Sequence, residues 1–373
     1  MMAEYNSYTM AQHQVIDTTE GCRYCLMCRH VCPVTRVTFN EATSPHGWAL
    51  TIASVRRGLL DWDAETTDRL YQCADCGLCQ SFCVTDQPLP DAIVAARAEV
   101  VAAGRAPANV ADVDAELRRW GNTYGIVAPA PEATEWGETA LLVGSTAFHR
   151  EWESVHAARR LLERAGLSHA LAAVGRSSGY LAYTLGLHDT AVQLARSTVA
   201  ELEHLGCRRL VVLSPGQAHT LKHVYPLLGV PLPEQIEVIE LPALLAGLLD
   251  EGRLKFVQTD VQLAYHDACQ TPRIDGRWRA PRRLLAALTS RPLHEGFWRE
   301  KRATPCGASG GLPWTQPDLA AGLAHAALAD ATRNGARVIV TDAPQCLAHL
   351  RSVAAEGVEV RGLYELLAGQ MNG

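Results

Sequence analysis

The sequence contains two cysteine runs of identical spacing, Cys22-x-x-Cys25-x-x-Cys28-x-x-x-Cys32-Pro33 and Cys73-x-x-Cys76-x-x-Cys79-x-x-x-Cys83. They hold eight of the twelve cysteines in the chain. In each run, three cysteines spaced two residues apart can bind three irons of a cubane iron–sulfur cluster from one tight loop. Because the pattern occurs twice, the sequence predicts two [4Fe-4S] clusters.

The fourth cysteine of each run reaches away from its own loop. In two-cluster ferredoxins this cysteine ligates the cluster of the other run. We therefore expect an exchange of ligands that ties the two loops together. The predicted sets are Cys22, Cys25, Cys28 and Cys83 for cluster 1, and Cys73, Cys76, Cys79 and Cys32 for cluster 2.

Tetrahedral zinc and disulfides fit these cysteines less well. Structural zinc sites use separated Cys-x-x-Cys pairs, in which a third thiolate two residues further on has no role. Disulfides need an oxidising compartment, and residues 1–20 lack the basic start and apolar stretch of an export signal. The expected location is therefore cytoplasmic.

Composition limits the remaining possibilities. The chain has 373 residues, ordinary hydrophobic content and a net charge of −6, which argues for a globular protein that does not bind nucleic acid. The longest apolar run, near residues 241–249, is shorter than the roughly 20 residues that a membrane helix needs. Membrane contact, at the inner face, is expected only through partners.

The predicted fold is a multidomain α+β protein. An α-helical two-cluster ferredoxin domain spans residues 1–104, because the stretch between the cysteine runs has helical spacing. A linker rich in proline, alanine and glycine spans 105–135. Two copies of an α/β unit follow, over 136–255 and 256–373, in which alternating strands and helices predict parallel sheets.

The distinctive residues of both copies follow strands or occupy turns, where parallel sheets place their sites. The first copy has Gly144-Ser145, Ser177-Ser178-Gly179 and Ser214-Pro215-Gly216-Gln217. The corresponding segments of the second copy are Tyr265-His266-Asp267-Ala268-Cys269, Pro305-Cys306-Gly307 and Ala343-Pro344-Gln345-Cys346.

Together with the twin ferredoxin runs, these segments resemble the iron–sulfur subunits with cysteine-rich CCG domains. That family occurs in heterodisulfide reductase, anaerobic glycerol-3-phosphate dehydrogenase, glycolate oxidase and lactate-utilisation proteins. Its repeats carry a cysteine, then Cys-Cys-Gly, then a final cysteine segment. The ending Cys346-Leu-Ala-His349-Leu350 is most similar to the glycolate and lactate branch. In that branch, the resemblance implies, electrons pass from a flavin-bearing hydroxyacid dehydrogenase subunit to a carrier.

The first repeat departs from the family at every cysteine position. Serine or glycine replaces each expected thiol up to Gln217, and serine oxygen is a poor substitute for sulfur on iron. We therefore expect this degenerate repeat to bind no cluster and to serve as a docking surface for a partner.

The second repeat keeps Cys269, Cys306 and Cys346. These thiols could hold a third cluster, with one iron bound by water, substrate, His266 or His349, or they could be small buried side chains without metal. His266 and Asp267 are expected to position the Cys269 loop through hydrogen bonds. Cys207 is expected to be a core thiol.

The predicted function is electron transfer within a complex. No nucleotide or flavin motif is visible in the sequence, so a separate FAD-containing dehydrogenase subunit acting on a 2-hydroxy acid would reduce the clusters. A quinone, a cytochrome or an electron-transfer flavoprotein would accept the electrons. The alternative is a catalytic reductase that uses a third cluster at Cys269, Cys306 and Cys346, and a redox-sensing iron–sulfur protein is a further one.

Overall fold

The structure is a computed structural model that describes residues 14–129, 138–269 and 277–371. The predicted boundary between linker and first repeat, at 135/136, lies outside the described residues. Within them, the helical first part is followed by two parallel sheets, as the fold class predicts.

The first part of the chain is helical, with short loops that carry the cysteines. Its α-helices are Pro33–Thr38, Pro45–Arg56, Ala64–Leu70, Leu78–Ser81 and Leu89–Ala102. Their starts follow local chemistry, because Ser44 caps the helix at Pro45 and Asp63 forms a capping box with Thr66. The helix between the cysteine runs buries Trp48 and Ile52, which makes it part of the core.

The stretch predicted as a linker contains the helix Ala108–Trp120. This helix buries Val110, Val113 and Leu117, and the side-chain amide of Asn109 donates hydrogen bonds to the carbonyls of Trp314 and Thr315 in the second repeat. The segment is therefore packed against both neighbouring parts of the chain.

The first repeat forms a four-stranded parallel sheet in the order β2-β1-β3-β4. Its strands are β1 (Thr139–Gly144), β2 (Ala170–Val174), β3 (Arg209–Val212) and β4 (Glu237–Glu240). Its helices are Ser145–Arg150, Trp152–Arg164, Tyr180–Thr184, His188–Leu205, Pro215–His219, Tyr225–Leu227 and Leu241–Asp250. β1 is buried along its whole length, as expected for the centre of a parallel sheet covered on both faces.

The second repeat forms a three-stranded parallel sheet in the order β5-β6-β7. Its strands are β5 (Leu263–Tyr265), β6 (Val338–Thr341) and β7 (Glu359–Gly362). The pairing that β2 makes in the first sheet is reduced here to one parallel bridge between Ala264 and His294. The helices are Arg279–Leu288, Leu312–Thr315, Pro317–Thr332, Pro344–Val353 and Leu363–Gly369.

The two repeats exchange their last helices. Leu241–Asp250 packs on Arg279–Leu288 of the second repeat, and Leu363–Gly369 packs on Trp152–Arg164 of the first. Tyr364 on the last helix donates a hydrogen bond to the Leu213 carbonyl at 2.6 Å, which ties that helix to the end of β3. One hydrophobic cluster therefore spans both repeats, while another joins the first repeat to the helical domain.

Candidate iron–sulfur centres

The two cysteine loops have the same unusual backbone. Tyr24 and Leu26 in the first loop, and Asp75 and Gly77 at the equivalent positions of the second, all have positive φ between 49° and 71°. For a residue other than glycine, this left-handed conformation costs roughly 1–2 kcal/mol. Backbone strain of this kind is found at functional sites, and here it shapes both cysteine loops in the same way.

The first group of thiols surrounds a cavity near the surface. Cys22, Cys25, Cys28 and Cys83 all line this cavity, which contains about 330 Å³ of free space, including the part open to solvent. Burial, followed by the neighbouring Cys22, Cys83 and Cys25, raises the pKa of Cys28 to about 11. Cys25 itself is exposed to solvent. The exchanged fourth cysteine, Cys83, thus lies with the first run.

The second group lies deeper. Burial raises the pKa of Cys79 well above its usual value, and the adjoining Cys76, Cys73 and Cys32 raise it further. Burial also raises the pKa of Cys32 to about 11. The structure therefore brings Cys32 to the thiols of the second run. Mutual repulsion disfavours four thiolates at one buried place, and iron cations would remove that repulsion, so the donor set fits a cluster.

The buried loop between Cys73 and Cys76 is packed against the second repeat. Ser309 Oγ donates a hydrogen bond to the Ala74 carbonyl at 2.7 Å. A Cβ on Gly310 would lie 2.5 Å from the Cys73 carbonyl oxygen, so only glycine permits this approach. The same Ser309 hydroxyl lies 4.0 Å from the Cys269 thiol. This turn therefore joins the buried cysteine loop to the third set of thiols.

Arg97 is a fully buried cation beside this loop. Its guanidinium donates hydrogen bonds to backbone carbonyls, and its charge stacks over the Tyr71 ring at 5.0 Å. The acceptors are Leu70, Cys73, Thr184 and Gly310, at 2.6–3.1 Å. Since these carbonyls come from the cysteine loop and from both repeats, one side chain holds the three parts together.

A third group lies at the ends of the second repeat's strands. Ligand atoms of His266, Cys306 and Cys346 all lie within 4.8 Å of one another, and all three residues are buried. The thiols of Cys306 and Cys346 are 2.8 Å apart, and the hydrogen bond between them, together with His266, lowers the pKa of Cys306. His266 Nε2 has no hydrogen-bond partner among the described residues. Two soft sulfur ligands and an unsatisfied imidazole nitrogen suit a transition metal or a cluster.

The other candidates around this group differ in position. Cys269 is buried outside the compact group, close enough for its charge to contribute to raising the pKa of Cys346. His349 points elsewhere, since its Nε2 donates a hydrogen bond to the Ala320 carbonyl at 3.1 Å. Asp267 accepts two hydrogen bonds of 2.8 Å from Arg282, so it anchors the loop between His266 and Cys269.

The first repeat carries a polar network at the corresponding place. Gln217, which occupies the position of Cys346, accepts hydrogen bonds from the backbone of Leu213 and Ser214. Its amide nitrogen donates to the carbonyls of Leu142 and Val143 in β1. The amide therefore crosslinks two strand ends at this position.

With these centres defined, we compared the chain with known families. Residues 18–86 match a 4Fe-4S dicluster domain, and residues 263–351 match a cysteine-rich domain, CCG. The chain carries a dicluster domain and a CCG domain. The predicted cluster type and the predicted kind of second repeat are thereby confirmed.

Relatives that match most of the chain include iron–sulfur subunits of heterodisulfide reductase. The subunit of dihydromethanophenazine:CoB–CoM heterodisulfide reductase from Methanosarcina barkeri is 26% identical over 82% of this chain and 78% of the relative. A probable membrane-anchored ferredoxin from Chromohalobacter salexigens is 28% identical over 89% of this chain. EtfAB:quinone oxidoreductase from Syntrophomonas wolfei is 25% identical over 80% of it. The chain spans about half of the last two, 52% and 44%.

Among solved structures, a hypothetical protein from Helicobacter pylori has a similar fold. Its TM-score is 0.57 at 10% identity, with 88% of this chain and 68% of that chain covered. In the part of the chain that the structure describes, none of the helices combines the length and apolarity needed to span a membrane.

Two features near the dicluster and CCG domains were not predicted from the sequence. Arg97 lies within an ordinary helical segment, and only the tertiary contacts reveal its role. His266 could be named as a candidate because it neighbours the Cys269 segment, but its convergence with Cys306 and Cys346 depends on the fold.

Proposed function

We propose that this chain is the electron-transfer subunit of a flavin-dependent dehydrogenase complex acting on a 2-hydroxy acid. Cys22, Cys25, Cys28 and Cys83 would hold one [4Fe-4S] cluster, and Cys73, Cys76, Cys79 and Cys32 the other. The clusters supply one-electron redox chemistry, and the surrounding protein sets their potentials through hydrogen bonds, burial and charge.

The carrying observation is the succession of thiol groups from the surface to the interior. The first group includes the exposed Cys25, and its Cys28 is close enough to the second group to contribute to raising the pKa of Cys79. The second group reaches the third through the Ser309 turn. A partner docked at the surface could therefore communicate with the interior through side chains in contact.

The surface around the first group suits a transient partner. Tyr24, Leu26 and Met27 are each about 45% exposed, and Val84 is 69% exposed. Exposed apolar side chains gathered around a site are typical of interaction surfaces. We infer that the FAD-containing subunit docks here, at the inner face of the membrane or in the cytoplasm. The electrons would then pass to a quinone, a cytochrome or an electron-transfer flavoprotein.

The test is anaerobic purification of the complex, followed by addition of 2-hydroxy acids such as lactate and glycolate. The expected result is a co-purifying flavoprotein and substrate-dependent bleaching of the cluster absorbance, with a reduced-cluster signal in electron paramagnetic resonance. A complex whose flavin becomes reduced while its clusters stay oxidised would contradict the proposal. So would a complex without flavoprotein.

A second candidate function is catalysis by the third group. The convergence of His266, Cys306 and Cys346 leaves room for an open metal position, which a reductase of disulfide substrates would need. In that case a Cys306→Ser variant would lose disulfide reduction, while its two cubane clusters would still be reduced normally by dithionite. Unchanged disulfide turnover in this variant would exclude catalysis by the third group.

A further inference from the structure

A polar cavity lies where the first repeat has lost its cysteines. It contains about 660 Å³ of free space, counting the part open to solvent. Its lining includes residues from the three segments of the degenerate motif, Ser145, Ser178 and Gln217 among them. It also includes Ser309 and Gln345 of the second repeat, and Gln345 adjoins Cys346 in the chain. The position of the missing cluster has therefore become a space next to the remaining redox centres.

The chemistry of the lining limits what could bind. No charged side chain is among the described residues that line the cavity. Enclosing an unpaired carboxylate or ammonium group there would carry a large desolvation cost. The hydroxy acid substrate and its oxo acid product are anions, so they do not fit. The lining instead combines hydroxyl groups with the aromatic side chains of Tyr180 and Trp314, which suits an uncharged molecule with a flat ring.

One wall of the cavity offers hydrogen-bond donors. Thr146 Oγ1 already accepts a hydrogen bond from the Tyr124 hydroxyl, and Ser177 Oγ accepts one from the backbone of Gly179. Each of these two hydroxyls therefore keeps its own proton available for a ligand. A carbonyl oxygen is the complementary group.

The opposite wall offers acceptors. The hydroxyls of Tyr180 and Thr184 both donate to the Asp75 carboxyl, at 2.7 and 2.9 Å, and Ser309 donates to the Ala74 carbonyl. Because their protons are directed towards the cysteine loop, these oxygens can present lone pairs to the cavity. A hydroxyl group on the ligand is the complementary group, and a compound that exists in carbonyl and hydroxyl forms matches both walls.

The loop beside the cavity adds an apolar surface. Thr123 lines the cavity, and in the same loop Asn122 donates a hydrogen bond to the Ile126 carbonyl at 2.8 Å. Ile126 and Val127 are 54% and 70% exposed. An apolar tail leaving the cavity along this loop would cover them.

We propose that this cavity binds the head group of a quinone. The class follows from the uncharged lining, the two hydrogen-bonding walls and the adjoining cysteine loop and third group. The proposal rests on the proposed function for its physiological meaning, since it selects the quinone from the acceptors considered. The binding itself can be measured independently of electron transfer.

The experiment titrates anaerobically purified, oxidised holoprotein with decylubiquinone and with the tailless 2,3-dimethoxy-5-methyl-1,4-benzoquinone, using calorimetry. We expect saturable binding of both, tighter for the decyl compound, and none for pyruvate. Ser178→Leu, which fills the cavity, and Thr146→Val, which removes a donor, should each raise the Kd about tenfold or more, equal to ~1.4 kcal/mol. Ser290→Leu, at an exposed serine of the second repeat, is the matched control and should bind like the wild type.

The outcomes separate the two proposals. Absence of quinone binding, equal binding by wild type and both cavity variants, or preferential binding of pyruvate would overturn the cavity assignment. Reoxidation of dithionite-reduced clusters by ferricyanide checks that the variants keep intact clusters. If quinone does not bind while the flavoprotein partner still reduces the clusters, the cavity assignment fails and the relay stands. If the partner leaves the clusters oxidised, the relay fails whatever the quinone result.

Discussion

The two repeats have one backbone design and different chemistry at the same places. Gly179 and Gly307 follow Ser178 and Cys306, and they have almost the same φ, +95° and +92°. A Cβ on either glycine would meet a backbone carbonyl of the following helix, that of Ala191 or Ala320, at 3.1 or 2.2 Å. The turn is thus retained for helix packing whether a serine or a cysteine precedes the glycine.

The strand ends show the same division between fold and chemistry. After β3, the Gln217 amide crosslinks strand ends, and after β6 the Cys346 thiol meets Cys306 and His266. The comparison teaches that the sheet does not depend on a bound cluster. A repeat that loses its thiols can hold its strand ends with amide hydrogen bonds, and the released space becomes available to another ligand.

The largest expected effect comes from removing a thiol of the dicluster domain. Cys76→Ser should lose about four irons per chain, since one cubane loses a ligand for which serine oxygen is a poor replacement. Iron analysis after anaerobic purification measures the loss. Cys207→Ala, at a buried cysteine outside the three groups, is the control and should keep full iron content. Unchanged iron in Cys76→Ser would contradict the ligand assignment.

A next contrast uses equivalent turns of the two repeats. We expect Cys306→Ser to remove the metal of the third group, about three or four irons if a cluster is bound there. Ser178→Ala, at the matching position, should leave the iron content unchanged. Ser178→Cys should gain none, because Ser145 and Gln217 supply no further thiols.

Iron analysis of these three variants beside the wild type tests the contrast. A wild type with about eight irons, unchanged in Cys306→Ser, would mean that the second repeat is as free of metal as the first. Iron gained by Ser178→Cys would mean that the first repeat retains a usable ligand set.

Much of the chemistry was predictable from local spacing. The two cysteine runs, the repeat and the turns at Ser177–Gly179 and Pro305–Gly307 all rest on residues close in sequence, and the fold places them at loops and strand ends. The exchange of Cys32 and Cys83 was expected from the ligand pattern of two-cluster ferredoxins, and the structure brings those thiols to the expected groups.

What the sequence did not predict depends on distant partners. Strands β2, β4 and β7 were missed because each is short and either alanine-rich or interrupted by charged residues, so parallel neighbours stabilise them more than intrinsic preference does. His349 has suitable spacing from Cys346, but its hydrogen bond to Ala320 comes from a neighbouring helix. The polar cavity likewise needs segments far apart in sequence to converge.

Arg97 offers a test of how the two repeats are joined to the dicluster domain. Arg97→Met would leave the carbonyls of Cys73, Thr184 and Gly310 without this donor, at a cost of roughly 3–5 kcal/mol in the free energy of unfolding. It would also remove a positive charge beside the second group. Since reduction makes a cluster more negative, the midpoint potential of cluster 2 should fall and that of cluster 1 should change less.

Arg97→Lys separates the two contributions. Lysine keeps the charge but cannot reproduce the several hydrogen bonds, so stability should fall while the potential changes little. Arg118→Gln, at an arginine paired with Asp114 on the surface, is the control. Redox titration followed by electron paramagnetic resonance, together with thermal unfolding, measures both quantities. A potential that stays at the wild-type value in Arg97→Met would show that the buried charge does not tune cluster 2.

The smallest expected effect concerns the strand ends themselves. Ser214 caps the helix at Pro215 by accepting a hydrogen bond from the Gln217 backbone, whereas Ala343 at the equivalent position makes no such cap. Ser214→Ala should therefore cost about 1 kcal/mol, seen as a decrease in melting temperature of about 2 °C or less. Gln217→Ala should cost more, because its amide makes hydrogen bonds to Leu213 and Leu142 as well. If both variants melt like the exposed-site control Ser290→Ala, the polar network does not stabilise the first repeat, and packing alone must hold its strand ends.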